Sequence, residues 1–200
     1  MKEIINNYFD HIGRLINNFN YKKIEDMINI LEKARIEGKN IFILGNGGSA
    51  TTANHFVCDF GKNAIHGNEK RFKIISLCDN LATITAYGND LGYETIFEER
   101  LKNLMEDNDV VIALSASGNS KNVLHAADYV KARNGILISM TGNDGGKLKK
   151  ISDFNINIES NTIEQIEDIH LMIEHIIVYV YEHKDDVKNE LVRMWRRKWI

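Results

Sequence analysis

The chain has 200 residues, 44% of them hydrophobic and 26% charged, which suits one soluble domain with a sizeable core. A formal net charge of −3 excludes a general electrostatic pull toward nucleic acid or an anionic membrane. No apolar run approaches the ~20 residues that a bilayer span needs; Met1 to Asn7 contain no secretory apolar stretch, and Cys58 and Cys78 form no metal-type pair, so a cytoplasmic chain with free thiols is expected.

Residues 3–19 place Ile4, Ile5, Tyr8, Phe9, Ile12, Leu15, Ile16 and Phe19 at helical spacing. Residues 22–37 repeat the pattern until Gly38 ends the helix. Two amphipathic helices before the first strand exceed what a small sheet needs, so the pair is expected to pack on the body or on another subunit. Alternation follows: strand Asn40–Gly45, helix Ala50–Phe60, strand Phe72–Leu77, short helix Leu81–Tyr87 and longer helix Tyr93–Met105. Then come strand Asp109–Leu114, helix Ser120–Arg133, strand Gly135–Met140, short helix Gly145–Lys150, strand Phe154–Ile158 and long helix Ile163–Glu182. Near-continuous apolar strands alternating with helices predict an α/β fold with a mostly parallel sheet covered on both faces. No repeat or linker interrupts the chain. It reads as a helical extension over 1–38, a core over 39–182 and a tail over 183–200.

The tail holds Lys188, Arg193, Arg196, Arg197 and Lys198 with Trp195 and Trp199. Tryptophans among cations suit nucleic acid or an acidic partner. A carboxy-terminal helix with docked Trp rings and solvated cations accounts for the same residues, and nucleic acid is not the expected partner.

In a parallel α/β sheet, ligands bind outside the carboxyl ends of the strands. There the strand ending at Leu114 empties into Ser115-Ala116-Ser117-Gly118-Asn119-Ser120 and then a helix. Unpaired backbone N–H groups and the helix dipole favour an anion at such a helix start, and three serine hydroxyls add donors. A Ser-rich helix cap is the plainer reading. Gly45-Asn46-Gly47-Gly48-Ser49 follows the first strand, with glycines that allow close approach of a ligand and Ser49 as a candidate cap. It lacks dinucleotide spacing. Gly88-Asn89-Asp90 suits sugar hydroxyls or an ordinary helix end. Two phosphate-type loops point to a phosphorylated small molecule.

His55 and Asp59 are four residues apart, on one helical face, where they can share a divalent ion. The last long helix carries Glu164, Glu167, Asp168, His170, Glu174 and His175 among apolar residues, so it should be largely buried. A buried His or carboxylate there needs a partner or shifts its pKa. Glu167 and His175 lie about 12 Å apart along the helix axis. One ion reaches both only at full stretch, so an active site shared with a neighbouring subunit is a physical expectation.

As a set, Gly45–Ser49, Asn54-His55-Phe56, Gly88-Asn89-Asp90, Ser115–Ser120, Thr141–Gly146 and Ile166–His170 followed by His175 resemble the sugar isomerase (SIS) domain family. Within it they resemble the phosphoheptose isomerases. The resemblance implies a flavodoxin-like three-layer sandwich with two extra amino-terminal helices, and a homotetramer with interfacial sites. It implies that Ser49, Ser115, Ser117 and Ser120 hold phosphate, with Ala116 in the same loop, and that Asn46, Gly47, Gly48, Asn89, Asp90 and Glu167 line the sugar. A divalent metal, zinc first, would be held by His55, Asp59, Glu167 and His175. Two positions depart from the family: Asp59 stands where Glu is usual, shorter by about 1.5 Å, and Glu167 stands where Gln is usual.

The implied activity is aldose–ketose isomerisation of a phosphorylated seven-carbon sugar, sedoheptulose 7-phosphate to D-glycero-D-manno-heptose 7-phosphate, through an enediol. Asp59 is the first choice of base, Glu167 the second, and His175 the partner acid/base. The alternative is a non-catalytic SIS protein that binds a phosphosugar or a partner, such as those that assist replication initiation. A shorter sugar phosphate is a third possibility.

Overall fold

The computed structural model describes residues 1–65 and 67–184. Helices α1 (Lys2–Asn17) and α2 (Lys22–Glu37) open the chain. Alternation follows: β1 (Asn40–Gly45), α3 (Gly48–Lys62), β2 (Lys73–Ser76), α4 (Leu81–Asp90) and a 3-10 turn at Tyr93–Thr95 leading into α5 (Ile96–Leu104). Then come β3 (Val110–Ser115), α6 (Lys121–Ala132), β4 (Ile136–Gly142), α7 (Gly146–Ile151), β5 (Phe154–Ile158) and α8 (Ile163–Glu182). The expected order of elements and the α/β class hold. The helix expected over Leu81–Tyr87 runs on to Asp90, so Gly88-Asn89-Asp90 is its last turn, the ordinary helix end of the two readings. Ile84 and Tyr87, three residues apart, pack on the core and carry the helix on to Asp90. Residues 185–200 of the basic tail lie outside the described residues.

Five strands pair in the order β2-β1-β3-β4-β5, and every pairing is parallel. Side chains alternate across the strands. Ile41, Ile43, Val110, Ile112 and Leu114 join a core with α2, α3 and α8. Phe42, Leu44, Val111 and Ala113 join another with α5, α6 and α7. Burial on both faces explains why these strands read as continuous apolar runs. Asp109 ties the sheet together at its amino end: its carboxylate accepts from Asn40 N at 2.8 Å, Asn40 Nδ2 at 3.0 Å and Glu106 N at 2.9 Å.

The strand order reverses direction at β1. The chain steps out to β2 and returns past β1 to β3, so the loops after β1 and β3 part and open a crevice at the carboxyl edge. On one side of the sheet, α1 packs Ile12 and Leu15 against the core, with Phe19 just beyond its end, but the helix buries no residue fully.

Candidate active site

The crevice is a cleft of about 170 Å³. The β1 loop lines it with Asn46 and Ser49, the β3 loop with Ser115, Ala116, Ser117 and Ser120, and the first turn of α8 with Ile163 and Glu167. Ser120 occupies the cap position of α6, but its hydroxyl makes no capping bond. The serines are therefore not spent on helix capping. Ser49 does not cap α3 either: Gly47 takes the cap position, and Ser49 is buried in the first turn, facing the cleft. Gly118 shapes the serine loop. It sits at φ +60°, and a Cβ there would overlap the Gly145 carbonyl, so only glycine fits.

Asn46 is held rigidly. It exchanges two amide bonds of 2.8 Å with Asn122 and accepts from the Tyr93 hydroxyl at 2.9 Å. Asn122 and Tyr93 were not among the expected site residues. The sequence signal for Asn122 was a polar residue, buried here, in the first turn of the helix that follows the serine loop.

A second cluster lies further along the same two helices. Phe56 and Phe60 stack in the core and fix the rotation of α3. That turns His55 and Asp59 toward α8, where Glu174 and His175 meet them. One ligand atom from each of these four residues lies within 4.8 Å of every other. His55 Nε2 is 3.3 Å from Asp59 Oδ2 and 3.2 Å from His175 Nε2, and His175 Nε2 is 3.4 Å from Glu174 Oε2. His55 and His175 are about half exposed, whereas Glu174 is fully buried and neither of its carboxylate oxygens has a hydrogen-bond partner. Burial, and then the Asp59 charge, push the Glu174 carboxyl up to about 8. Two imidazoles and two carboxylates converging on one point form a donor set that suits a divalent ion such as zinc. The orphaned oxygens of Glu174 are what such an ion would satisfy.

Within one protomer, three expected site residues lie apart from the groups named with them: Glu167, Asn89 and Asp90. Glu167 does not join the four-residue cluster. It sits eight residues and over two turns before His175, and its carboxylate lies against the Cα of Gly48 in the cleft. Burial, then Glu164 and Asp168, raise its pKa. Glu174 completes the cluster instead. It lies four residues after the buried His170, on the stripe of Ile166, Ile169, Ile173 and Ile177 that faces the core. Asn89 and Asp90, exposed at the end of α4 and bonded to each other at 2.7 Å, do not line the cleft.

The SIS domain model matches residues 7–142. The chain is 32% identical over 177 residues to a probable phosphoheptose isomerase of Thermoplasma acidophilum, covering 88% of this chain and 97% of that one. It is 37% identical over 161 residues to the phosphoheptose isomerase of Helicobacter pylori, covering 80% of this chain and 82% of that one. The solved phosphoheptose isomerase of Neisseria gonorrhoeae superposes with a TM-score of 0.82 at 25% identity, over 90% of this chain and 98% of that one. Cleft, cluster and fold together define a protein of the SIS domain family. Within that family, the chain belongs with the phosphoheptose isomerases.

Proposed function

We propose that the protein is an aldose–ketose isomerase of a phosphosugar, converting sedoheptulose 7-phosphate to D-glycero-D-manno-heptose 7-phosphate. The observation that carries this reading is the placement of two chemistries on one pair of helices. The first turns of α3 and α8 face the serine-lined cleft, and their later turns hold the imidazole–carboxylate cluster. Along α8 the offset from Glu167 to His175 is about 12 Å. An extended seven-carbon phosphosugar is roughly 10 Å long at about 1.3 Å per bond. A sugar gripped by its phosphate at one end presents its carbonyl at the other.

The serine hydroxyls and the start of α6 bind the phosphate and so orient the chain. Asn46, Gly47, Gly48 and Glu167 line the sugar beyond it. Isomerisation moves a hydrogen between C1 and C2 through an enediol. Asp59, partly open to solvent, takes the proton next to the carbonyl, and His175 exchanges a proton at the sugar oxygen. Glu167, the second choice of base from sequence, lies at the phosphate end, out of hydrogen-bond reach of the carbonyl end in this arrangement. A divalent metal, zinc first, would be held by His55, Asp59 and His175; when bound, it polarises the carbonyl and steadies developing negative charge.

We assign the protein to the cytoplasm as a homotetramer. Ile4, Ile5 and Phe9 on α1 stay exposed in one protomer, which supports an assembly that covers them. Asn89 and Asp90 would then contribute to a site completed by a neighbouring copy. No helix of the described residues is long and apolar enough to cross a membrane. The test is incubation with sedoheptulose 7-phosphate and metal in deuterated water. Product carrying solvent deuterium at C2 is the expected result; neither exchange nor product would leave a non-catalytic phosphosugar binder.

A further inference from the structure

We propose that Glu174 is a fourth protein ligand of the metal, taking the part that the family resemblance gave to Glu167. This rests on the reading of His55, Asp59 and His175 as a metal site. The first observation is the pair of unpartnered oxygens. Glu174 is fully buried, and neither oxygen receives a hydrogen bond. A buried carboxylate without a partner is costly, and a protein keeps one only where something compensates it. Its recorded ion-pair contact is His175, at a distance and angle that make no hydrogen bond.

The second observation is the facing imidazoles. His55 Nε2 and His175 Nε2 are 3.2 Å apart. A hydrogen bond between them occupies one proton and leaves both Glu174 oxygens unserved. A cation between them serves every member of the cluster. The third observation is the spacing. Donor atoms around a tetrahedral ion with bonds near 2.0 Å stand about 3.3 Å apart. The three contacts measured in the cluster are 3.2, 3.3 and 3.4 Å.

Glu167 is engaged elsewhere, against Gly48 in the cleft. Glu174 also explains how the site tolerates the shortened Asp59: a second carboxylate reaches in from α8. Two carboxylates and two neutral imidazoles balance a divalent charge. Glu174 is fully buried and would hold the ion from the protein side, which leaves the partly exposed Asp59 and His175 for proton transfer.

The experiment uses the full chain, stripped with chelator and titrated with Zn²⁺ against a competing indicator, then with Co²⁺ for its visible spectrum. Glu174→Met, which leaves no oxygen donor, is expected to weaken zinc binding ~100-fold or more, above the range for losing an outer partner, and to change the Co²⁺ bands. Glu167→Met should bind zinc as the parent does. Glu174→Met also guards against a folding artefact: without metal it should melt at or above the parent temperature, because a buried carboxyl without hydrogen-bond partners has gone. Zinc affinity unchanged in Glu174→Met, or lost in Glu167→Met instead, overturns the assignment. So would a metal-free melting temperature that falls while zinc affinity holds. A parent protein that binds no zinc or cobalt overturns both the assignment and the metal reading. Zinc bound through Glu174 without turnover of the sugar would sink the isomerase reading and leave the ligand in place.

Discussion

At the residue scale, the exchange between Glu167 and Glu174 turns on what each carboxylate touches. Glu167 fits only because residue 48 has no side chain; a Cβ there would overlap its carboxylate. The obstruction is the far end of a flexible side chain, so Gly48→Ala should fold normally and push Glu167 out of the cleft. The expected outcome is a KM for the phosphosugar raised by roughly tenfold to 100-fold, with zinc content unchanged, read by steady-state kinetics and metal analysis. An unchanged KM would mean that Glu167 has no part in binding the sugar. The close approach of residues 48 and 167, 119 positions apart, could not be read from either loop alone.

At the element scale, α8 carries buried polar groups with opposite needs. Apolar periodicity made the helix and its bounds legible, since Ile166, Ile169, Ile173 and Ile177 mark one face. His170 lies on that face, fully buried, with Nε2 donating to the Thr141 carbonyl at 3.2 Å at the end of β4. Burial lowers its pKa to about 4, against the partial opposition of that bond. The sign follows: between pH 4 and 6.5 the unfolded chain takes up a proton that the folded chain refuses. The stabilisation is complete above about pH 6.5 and is lost as pH falls toward 4, on the order of 3 kcal/mol in all. Thermal unfolding of the metal-free protein across that range should show the decline, and His170→Gln should flatten it. A variant with the parent's pH slope would assign the acid sensitivity to other groups.

At the scale of the whole molecule, the protomer leaves an apolar stripe uncovered. Phe9 is 68% exposed and Ile4 75%, on a helix that buries nothing fully in its own chain. Light scattering should give the mass of four chains. Phe9→Glu should lower that mass while the protomer keeps its circular dichroism spectrum, because the ring contributes little to the protomer's own core. A monomer in the parent protein would require some other explanation for the stripe.

Sequence by itself determined the architecture, because burial on both sheet faces and helical periodicity are local patterns that a chain displays residue by residue. It also determined the serine loop and the His55–Asp59 pair, since four-residue spacing has one meaning on a helix. Tertiary structure decided which groups on α8 face them. A twenty-residue helix offers several acids and two histidines, and only its packing against α3 brings Glu174 and His175 to one point and Glu167 to another. The same packing decided that Gly88-Asn89-Asp90 ends a helix away from the cleft. Rotation and offset between packed helices depend on the shapes of both partners, and neither is a property of one segment of chain.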